Sequence, residues 1–112
     1  MTEIAEITVA DAAGALDDGA VLLDVREPDE WEAGHAPGAV HVPLGDLPGR
    51  VGELDAGVPV VVICRSGARS ARATAWLSAQ GFGAANLVGG MQQWEAAGRP
   101  VTSAAGTPGR VV

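Results

Sequence analysis

The sequence predicts an α/β domain whose mainly parallel sheet is covered by helices on both faces. Short β-branched apolar runs alternate with helix-like segments along the chain. The strand-like runs are apolar throughout rather than alternating, which is the pattern of strands buried on both sides. The length of 112 residues suits one core, not two.

Taken in order, Ile4–Thr8 reads as a weak strand, and Val9–Leu16 as a short helix entered from Thr8 and closed by the Asp17-Asp18-Gly19 turn. Ala20–Val25 is a continuous apolar run with Asp24 and Arg26 at its end, as in a buried strand. Pro28–Ala33 fits a short helix with Pro near its first turn and Gly34 past its end. Val40-His41-Val42 is a brief strand, and Asp46–Leu54 a poor helix weakened by Pro48, Gly49 and Gly52. Val58–Ile63 is the strongest strand signal. Residues 69–80, free of Gly and Pro and rich in Ala and Arg, form the strongest helix signal. Asn86-Leu87-Val88 gives a last strand and Met91–Ala97 a last helix. The domain is expected to span residues 1–100, and the Gly, Pro, Ser and Thr of residues 101–112 to form a disordered tail.

The chain carries 14 acidic and 7 basic side chains, a formal charge of −7. Nucleic acids and acidic membranes call for a cationic surface, so neither is an expected partner. The charge is uneven. Residues 1–55 hold 13 of the acids with only Arg26 and Arg50, whereas residues 56–112 hold Glu95 alone against five arginines. Arg65, Arg69 and Arg72 cluster just after Cys64, so any small anion is expected there. One cysteine makes no internal disulfide, no CxxC pair and no thiolate zinc cage. With no signal-like start and no membrane-length apolar run, the expected location is the cytoplasm.

In parallel sheets ligands bind beyond the carboxyl ends of the strands, here Asp24-Val25-Arg26-Glu27 and Cys64. Cys64-Arg65-Ser66-Gly67-Ala68-Arg69-Ser70 runs from a buried strand straight into a helix. Such a loop aims successive backbone N–H groups at one point and adds the positive end of the helix dipole. Gly67 permits a backbone angle that other residues resist, and Ser66 and Ser70 supply hydroxyl donors or caps. A thiol there should be held largely as thiolate. A lone cysteine is more often a small buried hydrophobe, but a structural cysteine needs neither a strand end nor flanking arginines.

Four segments, Leu23-Asp24-Val25-Arg26-Glu27, Trp31-Glu32-Ala33-Gly34-His35-Ala36-Pro37-Gly38-Ala39, Cys64–Ser70 and Gly89-Gly90-Met91-Gln92-Gln93-Trp94, together resemble a single-domain rhodanese over about residues 4–99. The resemblance implies a five-stranded parallel sheet and a sulfurtransferase. Its cysteine, matching Cys64, would take the outer sulfur of thiosulfate or a persulfide donor, release sulfite in the first case, and pass the sulfur to cyanide or a thiol acceptor. Residues 65 to 70, Arg65, Ser66, Gly67, Ala68, Arg69 and Ser70, would bind the donor, with Arg65 and Arg69 suited to its sulfonate. Asp24 and Arg26, at the strand end nearest the site, read as supporting residues, a structural salt bridge or loop-anchoring hydrogen bond, with Arg26 also a candidate to line the pocket. No metal or organic cofactor is implied. The partners are a small-molecule sulfur donor and a thiophilic acceptor, and a relay that hands sulfur to a protein is the alternative to a free enzyme. Phosphatases and arsenate reductases of the same fold have an arginine at the sixth position after the cysteine. That position is Ser70 here, with Arg69 one earlier, so that chemistry is disfavoured.

The remaining polar groups read as structural. His35 looks architectural, and His35, His41 and Cys64 lack zinc-site spacing. Glu27, Asp29, Glu30 and Glu32 read as a solvated first helical turn. Trp31, Trp76 and Trp94 read as packing residues. Gly81-Phe82-Gly83 follows a helix and precedes a strand, the wrong order for a dinucleotide loop.

Overall fold

The structure, a computed structural model, describes residues 4–112; the first three residues of the expected domain lie outside that range. Five strands, β1 (Ala5–Ile7), β2 (Val21–Asp24), β3 (Val40–His41), β4 (Val60–Ile63) and β5 (Ala84–Leu87), form one sheet in the order β1-β5-β4-β2-β3. Every pairing is parallel, as the apolar strand pattern predicts. The helices are α1 (Val9–Asp17), α2 (Pro28–Ala33), α3 (Leu47–Arg50), α4 (Ala68–Ala79) and α5 (Gly90–Ala96). The poor helix expected over residues 46–54 is a four-residue α3 flanked by 3-10 turns at Leu44–Asp46 and Val51–Glu53.

Strand β4 alternates its side chains between two cores. Val60, Val62 and Cys64 pack with Leu23, Ala73, Leu77 and Leu47, beneath α4 and α3. Val61 and Ile63 pack with Leu22, Val9, Ala12, Met91 and Trp94, beneath α1 and α5. Both faces of the sheet are therefore covered, and a strand buried on both sides has no polar face to show. Thr8 caps α1 by accepting the Asp11 N–H at 3.2 Å.

The chain steps outward from β2 to β3, returns to β4 on the other side of β2, then continues to β5. The direction of winding reverses between β2 and β4, and a crevice opens at such a point beyond the strand ends. Asp24 and Cys64 stand at the ends of those two strands. No helix among the described residues is long and apolar enough to cross a membrane.

The expectation of a disordered tail is corrected. Residues 101–112 double back on themselves and pair with the end of α2. His35 and Thr102 exchange backbone hydrogen bonds at 2.9 Å, Arg110 N–H donates to Ala33 O at 3.0 Å, and Ala104 N–H donates to Glu32 O at 3.0 Å. Gly34 and Gly109 allow this by direct backbone contact: a Cβ on Gly109 would stand 2.8 Å from Gly34 Cα, and one on Gly34 2.6 Å from Arg110 N. A glycine-rich composition here marks close backbone packing, not the lack of a partner.

Candidate active site

Cys64 leaves β4 and is 1% exposed. Its Sγ accepts the Gly67 N–H at 3.1 Å and the Ser70 hydroxyl at 3.2 Å. Burial pushes the thiol up, but hydrogen bonds from the Ser70 hydroxyl and from the backbone of Ser70, Gly67 and Ser66 outweigh it and hold Cys64 below the ordinary thiol value. Gly67, at φ 114, makes the turn that converges these donors and starts α4.

The N–H groups face inward because the loop carbonyls are fastened outward. Asn86 of β5 donates from Nδ2 to Gly67 O at 3.2 Å, and the Thr74 hydroxyl donates to Ser70 O at 2.7 Å. Met91 N–H donates to Cys64 O at 2.7 Å and Gln92 N–H to Arg65 O at 3.0 Å. The first turn of α5 thus rests directly on the loop. Gly90, at φ +56, makes this approach possible, since a Cβ there would lie 2.7 Å from the Arg65 carbonyl carbon and oxygen.

Cys64, Ser66, Gly67 and Ser70 therefore converge, while Arg65 and Arg69 already hold other partners. Arg69 forms a two-pronged pair with Glu30 of α2, at 2.6 and 2.8 Å. Arg65, at the exposed rim, donates from Nε to Val112 O at 3.1 Å. Ala68 opens α4 with no polar side chain to offer. Glu30 is not the solvated charge its sequence setting suggests, being 15% exposed and held below the usual carboxylate range, chiefly by the Arg69 hydrogen bond.

Asp24 and Arg26 are both fully buried. Arg26 donates from Nε and Nη2 to the Asp24 carboxylate, at 2.8 to 3.1 Å, and from Nη2 to Gly34 O at 2.7 Å. The pair ties β2 to the end of α2 and makes no bond to the cysteine sulfur. Trp31 stacks between His35, at 3.6 Å, and His41, at 4.7 Å. His35 Nδ1 bonds Trp31 O and His41 Nε2 bonds Arg26 O, so both imidazoles brace the α2 region. Asn86, Thr74 and Glu30 were not singled out for these roles by the sequence. A signal existed for Asn86, the one polar residue in the Ala-Ala-Asn-Leu strand.

The Rhodanese-like domain family matches residues 8–97.

The chain belongs to the rhodanese family.

Among curated rhodanese relatives, a Bacillus subtilis protein named "Putative sulfurtransferase YtwF" is 41% identical over 100 residues, covering 88% of this chain and 97% of that one. Thiosulfate sulfurtransferase GlpE of Pseudomonas syringae is 38% identical over 95 residues, covering 84% and 90%. A solved rhodanese-related protein from Thermoplasma volcanium superposes with a TM-score of 0.82 at 33% identity, covering 88% of this chain and 97% of that one. This rhodanese domain is accordingly a member of a sulfurtransferase family on a five-stranded parallel α/β fold.

Proposed function

We propose that the protein moves sulfane sulfur from thiosulfate or a hydropersulfide through a Cys64 persulfide to a thiophilic acceptor such as cyanide or a thiol. The observation that carries this reading is the converging set of donors on Cys64 Sγ, from Gly67, Ser66 and Ser70. The same set that holds a thiolate can hold the terminal sulfur anion of a persulfide.

With thiosulfate, the Cys64 thiolate forms a bond to the outer sulfur, the sulfur–sulfur bond of the donor breaks, and sulfite departs with the bonding pair. The acceptor then attacks the terminal persulfide sulfur and Cys64 leaves as thiolate. Splitting the transfer into two displacements is covalent catalysis, and a thiolate prepared by its donors needs no general base. Because Cys64 is the only cysteine, no second thiol of this chain resolves the persulfide, so the acceptor comes from outside. In this reading Arg65, exposed and donating to Val112 O, would exchange that partner for the donor's anionic end.

The test is thiocyanate formation from thiosulfate and cyanide by the purified protein. The expected result is turnover that Cys64→Ser abolishes. Turnover retained in Cys64→Ser would overturn the assignment.

A further inference from the structure

The charge around Cys64 is not that of its arginines alone. Glu30 puts both carboxylate oxygens on the Arg69 guanidinium, Oε1 on Nη1 at 2.6 Å and Oε2 on Nη2 at 2.8 Å. The same Oε1 accepts the Glu27 backbone N–H at 3.0 Å, so the first turn of α2 fixes the carboxylate independently of the arginine. Arg69 lies in the first turn of α4, next in sequence to Ser70, whose hydroxyl donates to Cys64 Sγ, and Glu30 chiefly holds it more basic than usual. A donor anion at this loop would therefore meet a guanidinium whose fork already grips a carboxylate.

We propose that Glu30 sets donor selectivity: by filling the Arg69 fork it disfavours donors that leave as sulfite and favours hydropersulfides that leave as thiols. This rests on the sulfurtransfer reading above. Thiosulfate brings two negative charges to a loop where Glu30 has already neutralised Arg69, and sulfite carries both away after the sulfur–sulfur bond breaks. A hydropersulfide reacting in its neutral form, RSSH, brings none. Cys64 thiolate bonds its terminal sulfur, the sulfur–sulfur bond breaks, and the departing RS⁻ takes the proton the terminal sulfur carried, leaving a persulfide anion and RSH. Glu30 touches no reacting atom; it acts through Arg69 as a specificity-determining residue.

The experiment follows Cys64 persulfide by quenched mass spectrometry over a range of thiosulfate or 2-hydroxyethyl hydropersulfide concentrations. Wild type should half-saturate at lower hydropersulfide than thiosulfate concentration, and the reverse order overturns the proposal without any variant. Glu30→Gln keeps the side-chain shape and an oxygen for the Glu27 N–H while removing the charge. Its half-saturating thiosulfate concentration should fall roughly three- to tenfold, with less than about a twofold change for the hydropersulfide. The thiosulfate gain should vanish when Arg69→Ala is added, since no fork remains to be freed. Equal shifts for both donors, or none, would overturn the selectivity role. Absence of persulfide with both donors in wild type would instead overturn the sulfurtransfer reading.

Discussion

Replacing Ser70 by alanine removes one donor from Cys64 Sγ and leaves the backbone donors of the loop in place. Ser70 is fully buried and its hydroxyl lies 3.2 Å from the sulfur, so water does not readily take its position. A hydrogen bond to a charged group contributes about 1.5–3 kcal/mol. The diffuse charge of sulfur puts this one near the lower bound, equivalent to about a tenfold change in the thiol–thiolate equilibrium. The donor favours the charged form, so losing it raises the thiol's titration toward higher pH. Thiolate ultraviolet absorbance against pH reads this directly, because the chain has a single cysteine. Ser70→Ala should shift the curve upward, with roughly tenfold less thiolate at pH values below the midpoint. A curve superimposable on wild type would refute the view that side-chain and backbone donors overcome burial at Cys64.

Asp24→Asn leaves the buried Arg26 guanidinium without its counter-charge and should cost about 3–5 kcal/mol in urea unfolding; a loss below about 1 kcal/mol would show that the pair does not secure the fold. Gly90→Ala should slow Cys64 persulfide formation by at least roughly tenfold while the far-ultraviolet circular dichroism stays native, because α5 can no longer rest on the loop carbonyls. Unaltered persulfide formation would dissociate α5 from loop geometry. Glu30 has its titration depressed below the ordinary value of 4.5, so its contribution to stability is present above that value and is lost as pH falls through the depressed one. The stability difference between wild type and Glu30→Gln should therefore shrink on acidification, and a difference independent of pH would mean that Glu30 acts by shape alone.

The sheet was legible because its strands are apolar on both faces and punctuated by turn residues, features that depend on neighbours in sequence. The Cys64 loop was legible for the same reason: strand, turn and helix are contiguous, so the backbone donors follow from local geometry. Partners brought together by the winding of the chain were not. Glu30 lies on the β2–β3 connection and Arg69 on the β4–β5 connection, and the adjacency of β2 and β4 in the sheet is what makes them neighbours. Read singly, Arg69 looked like a free donor-binding cation and Glu30 a solvated charge; their pairing alters both readings. Residues 101–112 failed for a related reason. Their glycines suggest freedom when viewed alone, yet Gly109 is a contact residue once Gly34 stands opposite. The lone Asn86 of β5 is the one distant support that its own strand announced.

The central claim is that Cys64 itself takes up sulfur. Intact mass after incubation with thiosulfate, and separately with a hydropersulfide, tests it most directly. The account predicts a gain of one sulfur atom that cyanide removes and that Cys64→Ser does not acquire. Unchanged mass with both donors, or an equal gain in Cys64→Ser, would contradict it.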